Sequence, residues 1–320
     1  MKGHATAGPS LALIKYWGKR STTDNTPATG SLAITLADLE SRTEVTFDDR
    51  DSVVVGGQEQ PLERFATFFA SLKHELGLEG RGLSVVSNNN FPTAAGLASS
   101  SSGFAALAGA VSALAGADLP LAQLSALARL GSGSATRPVY GGFTVFDAGA
   151  HQAQPEHDEA YWPEFRVILC VVREGAKGTS SRAGMESSRL TSPFYDPWVE
   201  TSPALLAEAR QALAVKDWAR LGPLIRQSYL RMFSTMFSAE PPLIYWQPES
   251  LALIQALEVL RGEGFTTFET MDAGPQVKVF CPADQAAPLV AELDRRVPGL
   301  RFLTAGPGPG LRTWRTGESS

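Results

Sequence analysis

Cysteine, histidine and surplus positive charge are all scarce in this chain. The two cysteines among 320 residues, Cys170 and Cys281, each sit in an apolar run, which reads as buried thiols rather than a disulfide framework. The four histidines (His4, His74, His151, His157) show no metal-ligand spacing, so no structural zinc is expected. A net charge of −5 argues against non-specific binding to nucleic acid or a membrane surface. An anionic substrate must then be drawn by a local cluster of cations. No apolar run reaches the ~20 residues of a membrane span and no signal peptide opens the chain, so a cytoplasmic location is expected. With 43% hydrophobic and 19% charged residues, the chain is too apolar for disorder and long enough for two ordinary domains.

What the chain does have is an unusual run of small residues, Asn88-Asn-Asn-Phe-Pro-Thr-Ala-Ala-Gly-Leu-Ala-Ser-Ser-Ser-Ser-Gly103. It follows a β-rich stretch (Leu83 to Val86) and precedes an Ala-rich helical pattern from Phe104 to about Ala115. Strand, compact loop and helix start in that order gather free backbone N–H groups at the positive end of a helix dipole, where an anion is stabilised. Serine hydroxyls there could contact phosphate oxygens or Mg²⁺. An ordinary tight loop before a buried helix accounts for the same residues. The run is neither a Walker A sequence nor a Gly-x-Gly-x-x-Gly loop.

Three other stretches carry candidate chemistry. Lys15, Lys19 and Arg20 put three cations beside Tyr16 and Trp17. They form either a solvated strand end or a cluster that holds phosphate. Ser132, Ser134 and Arg137 lie in a glycine-rich turn, Gly131 to Gly142, where a guanidinium could grip a carboxylate through paired hydrogen bonds. Asp272, in Met271-Asp-Ala-Gly-Pro275, ends a hydrophobic strand and is either a turn residue or a carboxylate facing substrate.

Together these stretches resemble the mevalonate diphosphate decarboxylase family of the GHMP kinase superfamily. The resemblance rests on Pro92 to Leu107, Ala12-Leu-Ile-Lys-Tyr-Trp-Gly-Lys-Arg20, Gly131 to Gly142 and Met271 to Pro275, four motifs in the family's order. It implies an α+β, two-domain GHMP kinase fold. The N-terminal domain (1–175), ribosomal-protein-S5-domain-2-like, would carry the phosphate loop. The C-terminal domain (176–320), a ferredoxin-like layer, would carry the catalytic aspartate. It implies ATP and Mg²⁺ as cofactors, a phosphorylated mevalonate as substrate, and a homodimer. ATP would lie on Pro92, Ala95, Gly96, Leu97, Ala98, Ser99, Ser100, Ser101 and Ser102, with Ser99 and Ser100 nearest the metal. Asp272, Lys15 and Arg137 would be catalytic. Tyr16, Lys19, Ser132, Ser134, Arg137, Ser181 and Arg182 would bind substrate. The implied reaction decarboxylates mevalonate 5-diphosphate. The monophosphate as substrate, phosphorylation without decarboxylation, and a silent nucleotide binder remain open alternatives. The chain departs from the family at Pro9-Ser10, at Pro27 to Ile34, and at Met232-Phe233-Ser234, where the family has a histidine.

Periodicity places the remaining elements. Residues 3–16 read as one extended run, Ser31 to Leu36 and Arg42 to Phe47 as paired strands, and Val53 to Val55 as a hairpin edge. Helices are expected at Leu62 to Leu76 and Leu121 to Leu130, and strands at Phe143 to Phe146 and, centrally, Arg166 to Val172. Ala148 to Trp162 reads as a polar loop, and Ser180 to Pro203 as a Ser/Thr/Pro-rich stretch. The rest reads as helices at Ala204 to Val215, Trp218 to Phe237, Glu249 to Glu263 and Pro288 to Val297, with strands at Phe265 to Met271, Gln276 to Cys281 and Leu300 to Thr304. Gly306 to Gly310 is expected to cap the sheet.

Overall fold

The computed structural model of the chain describes residues 1–20, 25–91, 99–173 and 178–317. The extended N-terminal run divides at Gly8-Pro9 into β1 (Lys2–Ala7) and β2 (Ser10–Ile14), which enter different sheets. Next come β3 (Ser31–Thr35), β4 (Ser41–Asp48), β5 (Ser52–Val55), β6 (Gln58–Glu59), helix α1 (Ala66–Leu76) and β7 (Gly82–Asn89). Helices α2 (Ser99–Ala115) and α3 (Leu121–Gly131) lead to β8 (Phe143–Phe146) and β9 (Gln154–His157). The second half comprises β10 (Phe165–Val171), α4 (Ser181–Thr191), α5 (Tyr195–Leu213), α6 (Trp218–Phe237) and α7 (Pro248–Gly262). It ends with β11 (Phe268–Met271), β12 (Val277–Pro282), α8 (Ala283–Arg296), β13 (Arg301–Ala305) and β14 (Arg312–Thr316).

Three sheets result. The first has the order β14-β1-β4-β7-β5-β6, the second β11-β12-β10-β13, and the third β2-β3-β8-β9. Counted from its first strand, β10, the second sheet is antiparallel with order 4-1-3-2, the ferredoxin-like arrangement expected. It draws that first strand from ahead of residue 175, and β10 is interior to the sheet. The pairing expected between β3 and β4 is not formed. Their connection turns through Asp38, at φ 62°, and β4 instead pairs with β1 and β7 while β3 pairs with β2 and β8.

Proline explains two displaced helix starts. Pro203 reads as the end of the preceding Ser/Thr/Pro-rich stretch and Pro288 as a helix start, but both lie inside helices, α5 and α8, which begin at Tyr195 and Ala283. Helix α4 is too polar to show an apolar stripe; it buries Gly184, Met185 and Ser188, and Ser180 caps it by accepting a hydrogen bond from the Ala183 N–H at 3.2 Å. Strand β9 falls in the expected polar loop. Strand β14 hides among arginines and threonines, yet pairs with the outer edge of β1 and stacks Trp314 on His4. The Gly306 to Gly310 run does not cap a sheet. It stitches the sheets together, with the Gly308 N–H donating to Thr35 O and Gly308 O accepting from the Gly142 N–H, both at 2.8 Å.

One apolar core spans the seam. Leu11, Leu32 and Phe143 from the third sheet meet Phe165, Val167 and Phe280 from the second, under Leu205, Leu221 and Ile225 of α5 and α6. Helix α2 lies on the first sheet so closely that a side chain at Gly3 would strike the Ala110 carbonyl, 2.1 Å from an added Cβ. Small residues in α2 are therefore a packing requirement as well as a loop feature. No helix among the described residues is long and apolar enough to cross a membrane.

Candidate active site

Asp272 directly follows β11, and a tight turn in which the Gly274 N–H donates to Asp272 O reverses the chain into β12. Side chains two apart on a strand share a face, so Thr270 is on Asp272's side while Glu269 points the other way. Glu269 is fully buried and accepts hydrogen bonds from Arg226 Nε (2.7 Å), Arg261 Nη1 (2.9 Å) and Tyr229 Oη (3.0 Å), tying β11 to α6 and α7. On the Asp272 side, the register sets Lys278 of β12 opposite Thr270.

Three cations surround the Asp272 carboxylate. Lys15, just past β2, is held through its backbone N–H to Ser228 Oγ of α6 at 2.8 Å. Its ammonium donates to Ala12 O (2.9 Å) and Asp272 Oδ1 (2.7 Å). The Lys278 ammonium lies 3.0 Å from Oδ2, close enough for an ion pair but out of line for a hydrogen bond. Arg137, which follows a 3₁₀ turn at Gly133–Thr136, donates from Nη1 to Ser31 Oγ at 3.2 Å, and its Nε has no hydrogen-bond partner among the described residues. Lys15, Arg137 and Lys278 are all buried, whereas the Asp272 side chain keeps 26% exposure, so the carboxylate is the part of the cluster that a ligand meets.

Burial and charge set the protonation states. Burial works against the ionised form of Asp272, but Lys15 and Lys278 outweigh it and hold the carboxyl well below the usual range. Burial lowers Lys15 to about 8, with Lys278 and Arg137 also pushing down against the pull of Asp272. Burial brings Arg137 down to about 10. Asp272 is therefore ionised, and Lys15 and Arg137 are charged, at neutral pH. This is the local cation cluster that an anionic substrate needs in a chain of net negative charge.

Tyr16, Lys19, Ser132, Ser134 and Arg182 gather next to it, with Ser181 directly ahead of Arg182 at the start of α4. Asn25, in the left-handed region at φ 58°, donates to the carbonyls of Arg129 and Leu130 at the end of α3. Its own Oδ1 accepts from Lys19 at 2.5 Å, and its carbonyl from Tyr16 Oη at 3.5 Å. The Tyr16 hydroxyl lies over Gly133, where an added Cβ would be 2.5 Å away, so the turn carrying Ser132 and Ser134 must have glycine there. The two serine hydroxyls are 3.0 Å apart. Burial lowers Lys19 to about 8, and the nearby Arg182 guanidinium adds to that, partly offset by Glu186. Burial pushes Tyr16 up, so it remains a neutral donor. Ser181 and Arg182 open α4, with Arg182 exposed.

The loop residues Pro92, Ala95, Gly96, Leu97 and Ala98 lie outside the described residues. Of the serines, Ser99 and Ser100 form the outer start of α2, which begins five residues before the expected Phe104 because serine suits the first turn of a helix. Ser101 and Ser102 are buried in the fold. Ser101 Oγ accepts from the Ser10 N–H at 3.1 Å, and Ser102 Oγ is 2.7 Å from Ser41 Oγ. Asn90 likewise braces the β3–β4 connection, accepting from the Glu40 N–H and donating to Asp38 O. Phe233, where the family has histidine, is fully buried against Tyr229 and Trp246.

Sequence reasoning missed Lys278, Asn25 and Ser31. Lys278 was detectable as the one charge in the apolar run Val277 to Cys281. Asn25 and Ser31 have no local signal, because their roles come from contacts more than a hundred positions away in the chain.

Two α+β halves, joined at a seam that brings a helix-start serine loop and a strand-end aspartate into one molecule, define a GHMP-kinase-type fold. Residues 7–157 match the model of a diphosphomevalonate decarboxylase-like N-terminal domain, and residues 167–304 that of a mevalonate 5-diphosphate decarboxylase C-terminal domain. A diphosphomevalonate decarboxylase of Gibberella zeae is 31% identical over an alignment covering 95% of this chain and 87% of that protein. Among solved structures, a mevalonate diphosphate decarboxylase from Staphylococcus aureus superposes with a TM-score of 0.91 at 32% identity, covering 98% of both chains. A complex containing MVAPP, AMPPCP and magnesium superposes with a TM-score of 0.93 at 35% identity, covering 99% of both. The chain belongs to the diphosphomevalonate decarboxylase family.

Proposed function

We propose that this chain decarboxylates mevalonate 5-diphosphate at the expense of ATP, forming isopentenyl diphosphate, ADP, phosphate and CO₂ in isoprenoid biosynthesis. The observation that carries this reading is the Asp272 carboxylate held ionised by two buried lysines, with a buried arginine beside it, in a chain of this family. The substrate's tertiary hydroxyl hydrogen-bonds to Asp272; its oxygen attacks the γ-phosphorus of ATP as ADP departs, and its proton passes to Asp272 as the O–P bond forms and from there to solvent. A carboxylate of such low proton affinity is a weak base, so its main contribution is orientation. That suffices where phosphoryl transfer depends chiefly on positioning and charge. Lys15 meets the negative charge of the transferring phosphoryl group. The new phosphate then leaves with the C–O electron pair, and the bond to the carboxylate breaks to supply the alkene and release CO₂. Arg137 holds that carboxylate until it leaves.

Among the described residues no group of three or more His, Cys, Asp or Glu side chains is placed to hold a metal ion. Magnesium takes oxygen ligands and is commonly held through substrate phosphates, and the hydroxyls of Ser99 and Ser100 at the α2 start fit that role. When bound, it would neutralise charge on the nucleotide phosphates. Cytoplasmic action and a homodimer belong to the same proposal, the homodimer resting on the family resemblance.

The substrate diphosphate is assigned to Tyr16, Lys19 and Arg182, with Ser132, Ser134 and Ser181 alongside. Lys19 and Arg182 repel each other, and a second phosphate would offset that repulsion. Arg182→Ala is expected to raise the KM for mevalonate 5-diphosphate at least tenfold, since a lost charged hydrogen bond is worth about 1.5–3 kcal/mol. The KM for the monophosphate should change far less. Steady-state assays with both substrates check this; equal effects, or a parent enzyme selective for the monophosphate, would reverse the choice.

A further inference from the structure

We propose that Lys278 is a positioning residue whose buried charge fixes the ionised Asp272 as the acceptor of the substrate hydroxyl. This deepens the reading of the site given above and rests on it.

Lys278 is fully buried and its ammonium has no hydrogen-bond partner among the described residues. Its only ion pair among those residues is with Asp272 Oδ2, 3.0 Å away, and that contact is out of line for a hydrogen bond. Its cross-strand neighbour Thr270 offers no acceptor contact either, since Thr270 Oγ1 has no partner among the described residues. A buried unpaired ammonium is costly unless a charge offsets it. Lys278 therefore needs the carboxylate, while the carboxylate, already bonded by Lys15 at Oδ1, does not need a second aligned donor. Lone pairs on both carboxylate oxygens stay open to the substrate hydroxyl.

Two consequences follow for titration. The charged groups facing Asp272 are Lys15 from the segment after β2, Arg137 from the turn after α3, and Lys278 from β12. Cys170 of β10 also lies near Lys278, but burial raises its thiol and keeps it neutral. Removing the Lys278 charge makes Asp272 easier to protonate. It also relieves repulsion on Lys15, which then keeps its proton to higher pH. Both limbs of a pH–rate profile should move in the same, alkaline direction. A purely structural lysine would alter stability or overall rate without moving either limb.

The test uses the full chain with Lys278→Met, Lys278→Gln and Lys278→Arg. Asp272 ionisation is followed directly by its carboxyl ¹³C shift, assigned through loss of the signal in Asp272→Asn. This readout does not depend on turnover. In the Met and Gln variants the midpoint should rise by about one to three pH units, and the alkaline limb of kcat/KM should move to higher pH as Lys15 keeps its proton longer. The Arg variant should restore both. Unmoved midpoints in both neutral variants, or a shift that Arg does not reverse, would overturn the proposal. A parent enzyme that releases no CO₂ from mevalonate 5-diphosphate would instead refute the function, with the ¹³C titration still deciding the role of Lys278.

Discussion

Asp272→Asn should slow turnover of mevalonate 5-diphosphate by about 10²–10⁴-fold, the range for loss of a group that handles the reacting proton. The amide keeps the size of the side chain but can no longer carry the charge that Lys15 and Lys278 face at 2.7 and 3.0 Å. Two effects then oppose each other. The hydroxyl loses its anionic acceptor, which lowers kcat. The site gains net positive charge, which favours an anionic substrate, so KM should be unchanged or lower. A fall confined to kcat is therefore the expected signature. Removing one member of a buried ion pair also destabilises the fold, so the comparison is made below the melting temperature of the variant, with its circular dichroism matched to the parent. Turnover within a few-fold of the parent would mean that Asp272 serves only to neutralise the two lysines.

Arg137→Gln should lower kcat/KM about 10- to 100-fold, mainly through KM. Glutamine can still reach Ser31, but the paired, charged grip is lost, at about 1.5–3 kcal/mol. The effect falls on KM because the guanidinium meets a full carboxylate in the bound substrate and a neutral CO₂ at the end. As charge drains from the carboxylate, the interaction weakens, so it binds the ground state at least as strongly as the transition state. Arg137 Nε has no hydrogen-bond partner among the described residues, so the buried guanidinium has donor capacity for such a ligand. Steady-state kinetics with saturating ATP give the split. A KM within twofold of the parent would place the substrate carboxylate elsewhere.

How much of this the sequence revealed depended on how local the determinants were. Lys15 and Asp272 stand in short motifs whose side chains do meet, although 257 positions separate them. The third member of that cluster, Lys278, carries no motif, only an odd charge in an apolar strand. The ferredoxin-like layer was legible because its strand and helix order is a property of consecutive segments. The partners of β3 and β4 were not, because alternation marks a strand without saying which sheet receives it. Helix α4, with Ser181 and Arg182, went unread because its stability comes from a serine cap and one narrow buried stripe rather than from an apolar pattern. The serine run was ambiguous for a further reason. Ser99 and Ser100 face outward at a helix start while Ser101 and Ser102 are internal hydrogen-bonding groups, and four identical letters cannot show that division.

The most direct test of the function is the stoichiometry of a single turnover. Enzyme in excess over mevalonate 5-diphosphate carrying a labelled carboxyl carbon, with ATP and Mg²⁺, should release one CO₂ for each ADP formed and leave isopentenyl diphosphate. ADP formed without CO₂ would reveal a kinase that stops at the phosphorylated substrate, and would contradict the coupling of Asp272, Lys15 and Arg137 to decarboxylation.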